Sequence, residues 1–284
     1  MKFPVQICSV MGQGTKSVNV IPKFFSAAWQ YRYFIGSSVM AEFRNRYARS
    51  RVGLLWAVLH PLASSAIFAY VLAEVIGSKL PGSSDPASYA VHLIAGMLAW
   101  NLFADVLSRS ALVFLEYSAQ IKKSAVPRIC LPVIVVLTAL LNNLLLWAAS
   151  IAVLLLLGHY PGIEWLAVVP VVFVVLLLGL GIGFALGILN VFSRDVWQVT
   201  SVAIQLWFWV TPVVYSLAMV PEAQRSLLQQ NPMTPIVTEY QNAILRHQWI
   251  DYGDIFWPLI VALLACAFST WLYLRAANEL ADAI

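Results

Sequence analysis

Gln198, Ser201, Gln205, Phe208 or Trp209, Pro212 and Tyr215 recur at helical spacing through a stretch, 196–218, that carries no full charge. Trp56, His60, Ser64 and Phe68 repeat at every fourth residue through a second such stretch. Amides and hydroxyls exchange hydrogen bonds with sugar hydroxyls, and aromatic faces let carbohydrate C–H faces slide past without a deep, charge-pinned minimum. The two stripes therefore suit the wall of a pore for a sugar chain. The same residue types also serve as interfacial anchors and as hydrogen-bonding glue between helices. Trp207-Phe208-Trp209 lies nearer the middle of its stretch than an interfacial belt does, which favours the pore-lining role for that cluster.

Other chemistry lacks its residues. There is no His-Glu-x-x-His, no Gly-x-Ser-x-Gly, and His60, His92, His159 and His247 share no ligand spacing. Cys8, Cys130 and Cys266 are odd in number and far apart, so neither a disulfide framework nor a metal site follows. Gly12-Gln13-Gly14-Thr15-Lys16-Ser17 only superficially resembles a phosphate loop, because the four-residue spacer before Gly-Lys-Ser/Thr is missing. The expectation is a chain with no catalytic residues, no metal, no cofactor and no nucleotide engine of its own. An ion-coupled carrier would keep buried charges as coupling sites and often an internal repeat. Here Glu74, Asp105 and Asp195 sit near the edges of apolar stretches and no repeat is evident, which disfavours secondary transport.

The elements that must hold these stripes are membrane spans. The 284 residues are 61% hydrophobic and 11% charged, against about 25% charged in soluble domains. Mean hydropathy is +0.80. A span needs about 20 apolar residues, and candidates are 54–75, 89–108, 130–157, 165–192, 196–218 and 255–274. The second is the weakest, since Asp105 and Arg109 sit in its last turns. A six-span, all-α integral membrane protein is expected, with 1–53 a cytoplasmic tail and interfacial helix and 54–284 the membrane domain. The first 20 residues lack a signal-peptide pattern, so insertion is expected to rest on the internal spans. Of the 17 basic residues, 14 fall on the side that holds both termini, and only Lys79, Arg225 and Arg246 on the other. That asymmetry makes both termini cytoplasmic. The basic residues gather at span ends, which is topology and not a nucleic-acid patch.

Arg44, Arg46, Arg49 and Arg51, directly before the first span, mark a cytoplasmic boundary. Trp29, Tyr33, Met40, Phe43 and Tyr47 recur before it at mostly helical spacing, which reads as an amphipathic helix in the interface. The 221–254 connection holds Asn231-Pro232 and Thr234-Pro235 between short helical stretches near 222–230 and 235–246. Their apolar faces suggest re-entrant helices, and a surface loop is the alternative. Gly179, Gly183 and Gly187 form a close-packing face on the fourth span. Glu116 to Arg128, with Gln120, Lys122 and Lys123, is cytoplasmic and reads equally as a docking lever or as a solvated basic loop.

The run Arg44 to Pro61 resembles the opening signature of ABC-2 type exporter permeases, and specifically the polysaccharide branch that exports O-antigen, capsule or teichoic acid. Tyr47, Ser50, Gly53, Trp56 and Pro61 carry the match, followed in order by Ile121–Arg128, Ser193–Val199, Thr211–Ser216 and Asn231–Val237. The chain departs from that pattern at Val126, where Phe is usual, at Tyr117, where Asn is common, and at Glu239-Tyr240-Gln241-Asn242, where an Arg commonly falls.

The resemblance implies a homodimer in the cytoplasmic (inner) membrane with two separate ABC ATPase subunits, which would hold ATP and magnesium. Spans one and five would line a pore between the subunits. The interfacial helix and Glu116–Arg128 would receive the ATPase stroke. The substrate would be a glycan on a polyprenyl diphosphate, met at the inner leaflet by Arg44, Arg46, Arg49 and Arg51, since arginine pairs bidentately with phosphate. The rivals are a permease of the same family for a small lipophilic substrate such as a drug or haem, and an integral-membrane glycan-modifying enzyme.

Overall fold

In the computed structural model the described residues are 29–47, 86–119 and 130–283, together with Leu59, Ala63 and Ile67. Among these residues eight α-helices follow in order: α1 Arg32–Tyr47, α2 Pro86–Glu116, α3 Cys130–Leu156, α4 Val168–Phe192, α5 Asp195–Val210, α6 Glu222–Gln230, α7 Met233–Leu245 and α8 Tyr252–Ala283. Among the described residues there is no strand. Among the described residues four helical stretches are long and apolar enough to cross a bilayer: Ser88–Glu116, Cys130–Leu156, Ile163–Phe192 and Tyr252–Ala277. The chain is an integral membrane protein built from helices. Trp56, His60, Ser64, Phe68, Arg49, Arg51, Gln120, Lys122, Lys123 and Arg128 lie outside the described residues.

The centre of the fold is α4, which packs most extensively against α8 on one side and α2 on the other. Its glycines permit this. A Cβ on Gly183 would stand 2.5 Å from the Ser110 Cβ and 2.7 Å from the Leu107 carbonyl of α2, and one on Gly187 2.5 Å from the Ser110 carbonyl. Gly181 points the other way, 2.6 Å from the Cys266 backbone nitrogen of α8. The face expected at Gly179, Gly183 and Gly187 is thus a backbone contact with α2, and Gly181 extends close approach to the opposite flank. In a medium as apolar as the side chains, such contact is what holds helices together.

The stretch 196–218 departs from an uninterrupted span. Helix α5 stops at Val210 after 16 residues, about 24 Å of rise, less than the roughly 30 Å of a hydrocarbon core. Pro212 is the reason: it forces the residue before it out of the α region, and Thr211 is extended with φ −91 and ψ 136. A non-helical segment then runs to a 3₁₀ turn, Leu217–Met219. Its carbonyls are claimed by side chains. The Tyr89 hydroxyl donates to the Val214 carbonyl (2.7 Å), the Gln241 amide to the Pro212 carbonyl (3.1 Å), and the Tyr215 hydroxyl to the Val210 carbonyl (3.1 Å). Irregular backbone at membrane depth persists only when satisfied in this way.

Candidate functional site

Helix α5 presents two unlike sides. At 100° per residue, Gln198, Val202, Gln205 and Trp209 fall within a narrow sector, whereas Ser201 and Phe208 are rotated from it by about 60° and 80°. The open sector is exposed, with Trp209 57% accessible. Ser201 and Phe208 lie on the half-buried side, where Phe208 meets Trp100 edge-on (5.6 Å between centroids) and Trp207 meets Phe103 (5.1 Å). Tyr215 lies past the helix end, half-buried. The structure therefore brings Gln198, Gln205 and Trp209 to one open face of neutral amides and an indole. At its other end α5 is held by Asn190 of α4, whose side-chain oxygen accepts from the Trp197 N–H (3.2 Å) while its amide donates to the Ala111 carbonyl of α2 (3.0 Å).

A second constellation sits where α1 meets the body. The face of α1 that packs inward is Ile35, Val39 and Glu42, at i, i+4 and i+7, while Trp29, Tyr33 and Met40 are exposed and Arg32 stacks over Trp29 (5.1 Å) and Tyr33 (4.6 Å). That outer side has the aromatic and cationic make-up of an interfacial anchor. Arg44, in the last turns of α1, is exposed, and Arg46 follows within the same helix. Glu42 pairs with Arg109 of α2, and Arg109 donates from Nε to Asp105 one turn earlier (2.9 Å). Asn142 of α3 donates to the other Asp105 oxygen (3.1 Å), and Thr138 (3.4 Å) and Tyr117 (3.5 Å) reach Glu42. Three helices thus meet at one mostly buried charged node. Asp105 and Arg109 stood out in the sequence as charges near a span end, but Glu42 did not. Its only signal was an acid on the inward register of a basic amphipathic helix. Glu116 ends α2 one helical turn and more beyond Arg109 and is exposed.

The short helices expected near 222–230 and 235–246 are α6 and α7. Nothing in α6 is buried, whereas α7 is buried along most of its length, including Tyr240 and Glu239. Glu239 accepts from the Asp251 backbone N–H (3.0 Å) and from the side-chain amide of Asn242 on its own helix (3.1 Å). Burial pushes its carboxyl above the ordinary range, with the Asp254 and Asp251 charges adding to the shift against those two hydrogen bonds. A raised value means the folded chain holds this proton more tightly than the unfolded one. The contribution is complete below the ordinary glutamate range and is lost as pH rises through the raised value. On raising pH from about 4 to about 7, the melting temperature of the wild type should fall relative to that of Glu239→Gln, as read by thermal unfolding in detergent. A constant difference between the two across that range would refute it.

Residues 33–245 match the ABC-2 type transporter family. An O-antigen export system permease protein of Klebsiella pneumoniae is 28% identical over 215 residues, covering 74% of this chain and 81% of its own length. One from Myxococcus xanthus is 26% identical over 258 residues, covering 90% and 97%. A polysialic acid transport protein of Escherichia coli is 23% identical over 210 residues, covering 72% and 79%. With the family match spanning α1 to α7, the chain belongs to the ABC-2 type transporter family.

Proposed function

We propose that this chain is the permease subunit of an ATP-driven exporter that carries a polyprenyl-diphosphate-linked polysaccharide across the cytoplasmic membrane. It works as a homodimer of six-span subunits with both termini cytoplasmic, α6 and α7 dipping back into the outer leaflet, and two ATPase chains supplying ATP and magnesium. The observation that carries this reading is the open face of α5, where Gln198, Gln205 and Trp209 stand together without a full charge. A second copy facing α5 would enclose a path of hydrogen-bonding groups and an aromatic surface, with Trp56, His60, Ser64 and Phe68 of the first span contributing, as suits a sugar chain. Relatives named for O-antigen and polysialic acid support the substrate class.

The diphosphate would be met by Arg44, Arg46, Arg49 and Arg51. The ATPase stroke would arrive through α1 and the Glu116–Arg128 segment with Gln120, Lys122, Lys123 and Arg128, and the Glu42–Arg109–Asp105 node would pass it to α2 and α3. Deleting the chain should leave polyprenyl-linked glycan accumulating on the cytoplasmic face while its synthesis continues, measured by extraction of lipid-linked glycan and by surface labelling. Unchanged glycan on both faces, with new sensitivity to a lipophilic compound, would replace this reading with a small-substrate permease.

A further inference from the structure

Two histidines with no part in the pore, His159 and His247, meet where two helices end. Gly158 (φ 77) turns the chain out of α3, and the His159 N–H closes that turn on the Leu154 carbonyl (2.9 Å). At the end of α7 the left-handed conformation falls to His247 (φ 52), and the Gln248 N–H returns to the Asn242 carbonyl (3.2 Å). Glycine enters this conformation freely, whereas a histidine does so at a cost that its side-chain contacts must offset. Those contacts are specific. The two imidazoles stack with centroids 4.8 Å apart. His159 Nε2 donates to the Ile244 carbonyl (2.5 Å), one of the last carbonyls of α7, which find no partner within the helix. His247 Nδ1 stands 3.7 Å from Oε2 of Glu164, in the 3₁₀ turn Ile163–Ala167. The two groups close over Gly162, where a Cβ would collide with that oxygen and lie 2.7 Å from Nδ1. His159 and Glu164 are half-buried, and the His247 side chain is 39% accessible, open to protons from solvent.

We propose that His159, His247 and Glu164 form a proton-operated clasp: in mild acid outside the membrane it fixes the end of α7 to the α3–α4 connection and slows export. The proposal rests on the polysaccharide-exporter reading for the side that the clasp faces and the export that it slows, but the clasp itself does not depend on it. Histidine is the side chain whose charge ordinarily changes between roughly pH 5 and pH 8. Protonated, His247 becomes the cation that faces Glu164 and adds positive charge where the carbonyl ends of α3 and α7 favour it. His159 keeps its N–H on Ile244 in either charge state, and a second charge across the stack is opposed by the first. One proton therefore closes the clasp. Its loss toward neutral pH leaves only the stack and a hydrogen bond between neutral groups.

The other charged or titratable groups on the elements packed here do not take over that role. Tyr160, Arg246 and Asp254 are exposed, and Arg246, next to His247, also opposes a second proton on the pair. Glu239 accepts the Asp251 N–H, Asp251 accepts the Gly253 N–H (2.8 Å), and the Tyr252 hydroxyl donates to the Ala167 carbonyl (3.4 Å). On α2, the Tyr89 hydroxyl is committed to the Val214 carbonyl and its ring stacks on His92.

The test reads stability and export separately. Thermal unfolding of the full chain in detergent is followed at about pH 5.5 and about pH 7.5 for the wild type, Glu164→Gln, His247→Asn and the double variant. Asparagine tolerates the left-handed backbone, so His247→Asn removes the imidazole and leaves the turn. The coupling between the two substitutions should be on the order of 2 °C at the lower pH and vanish at the higher. Glu239 also responds to pH, but it is common to all four chains and cancels. Surface glycan per permease, in cells held at the same two external pH values, should be roughly two- to fivefold lower in acid for the wild type. That difference should be lost in His247→Asn. If His247→Asn fails to accumulate in the membrane, Glu164→Gln carries both readouts, departing from the wild type only at the lower pH. A coupling of equal size at both pH values would overturn the clasp. A pH-dependent coupling alongside an unchanged acid response of export in His247→Asn would overturn its hold on export. Glycan export that survives deletion of the chain would overturn only the polysaccharide reading, and the unfolding coupling would still decide the clasp.

Discussion

Arg109→Ala should cost the fold on the order of 3–5 kcal/mol and abolish export, because it strands two carboxylates inside the membrane domain. Arg109 is the cation between Glu42 on α1 and Asp105 on its own helix, and all three side chains are largely removed from solvent. Their formal charges sum to −1 with the arginine present and to −2 without it. Among the described residues the hydroxyls of Thr138 and Tyr117 still donate to Glu42, and the amide of Asn142 to Asp105. Neutral donors do not offset the desolvation of two like charges held in one place. Glu42→Gln should be much milder, since it leaves Arg109 paired with Asp105 and the site close to neutral. Arg109→Met combined with Glu42→Gln should recover part of the stability that Arg109→Ala loses, because one of the stranded charges is gone. It should not recover export, because the ion pair that ties α1 to α2 is then gone. Thermal unfolding in detergent reads the first quantity, and surface glycan against ATP hydrolysed by the assembled transporter reads the second. Equal damage from Glu42→Gln and Arg109→Ala would show that the node is not balanced on the arginine.

Much of this architecture is legible in the sequence, and the boundary of what is legible has physical causes. Long apolar runs bounded by charges or by Pro and Gly give α2, α3, α4 and α8 directly, because in a bilayer backbone satisfaction leaves a helix as the only form such a run can take. The short helices α6 and α7 were readable from their Pro punctuation. The end of α5 was not placed correctly: Pro212 lies inside an apolar run, and hydropathy is blind to the break that it makes at Thr211. Helical spacing grouped Ser201 and Phe208 with Gln198 and Gln205, yet a deviation of one residue turns a side chain by 100°, enough to move it from the open face to the packed one. The inward face of α1 was missed for a related reason. Aromatics and arginines dominate its sequence, but they anchor the outer side, and the residues that bind it to the body are the inconspicuous Ile35, Val39 and Glu42. Asn231, whose side chain accepts the Trp207 indole N–H and donates to the Thr211 hydroxyl at the end of α5, carries no sequence signal beyond a turn-forming Asn-Pro, because those partners lie 24 and 20 residues earlier.

Adding a single methyl at Gly183 should destabilise the fold by about 1–3 kcal/mol, and a larger side chain there should prevent it from assembling. The new Cβ would lie 2.5 Å from the Ser110 Cβ and 2.7 Å from the Leu107 carbonyl, and a carbonyl inside a helix cannot step aside without moving α2. Ser110→Gly should therefore rescue Gly183→Ala in part, by removing the nearer of the two obstacles. The same change should not rescue Gly187→Ala, whose Cβ would meet the Ser110 carbonyl at 2.5 Å, a group that every residue at 110 retains. Gly36 of α1 is the contrast: nothing lies within 4 Å of a Cβ there, so Gly36→Ala should be neutral or stabilise by up to about 1 kcal/mol through helix propensity. Unfolding temperatures in detergent of Gly183→Ala and Gly187→Ala, each with and without Ser110→Gly, and of Gly36→Ala decide the matter, and rescue of Gly187→Ala by Ser110→Gly would be the contrary result. The consequence reaches function. A helix gripped at the backbone on both flanks, by α2 through Gly183 and by α8 through Gly181, is a fixed frame. Motion that opens a path must then come from elements bound to that frame through few side chains, and α5, held at one end by Asn190 and at the other by Asn231, is such an element.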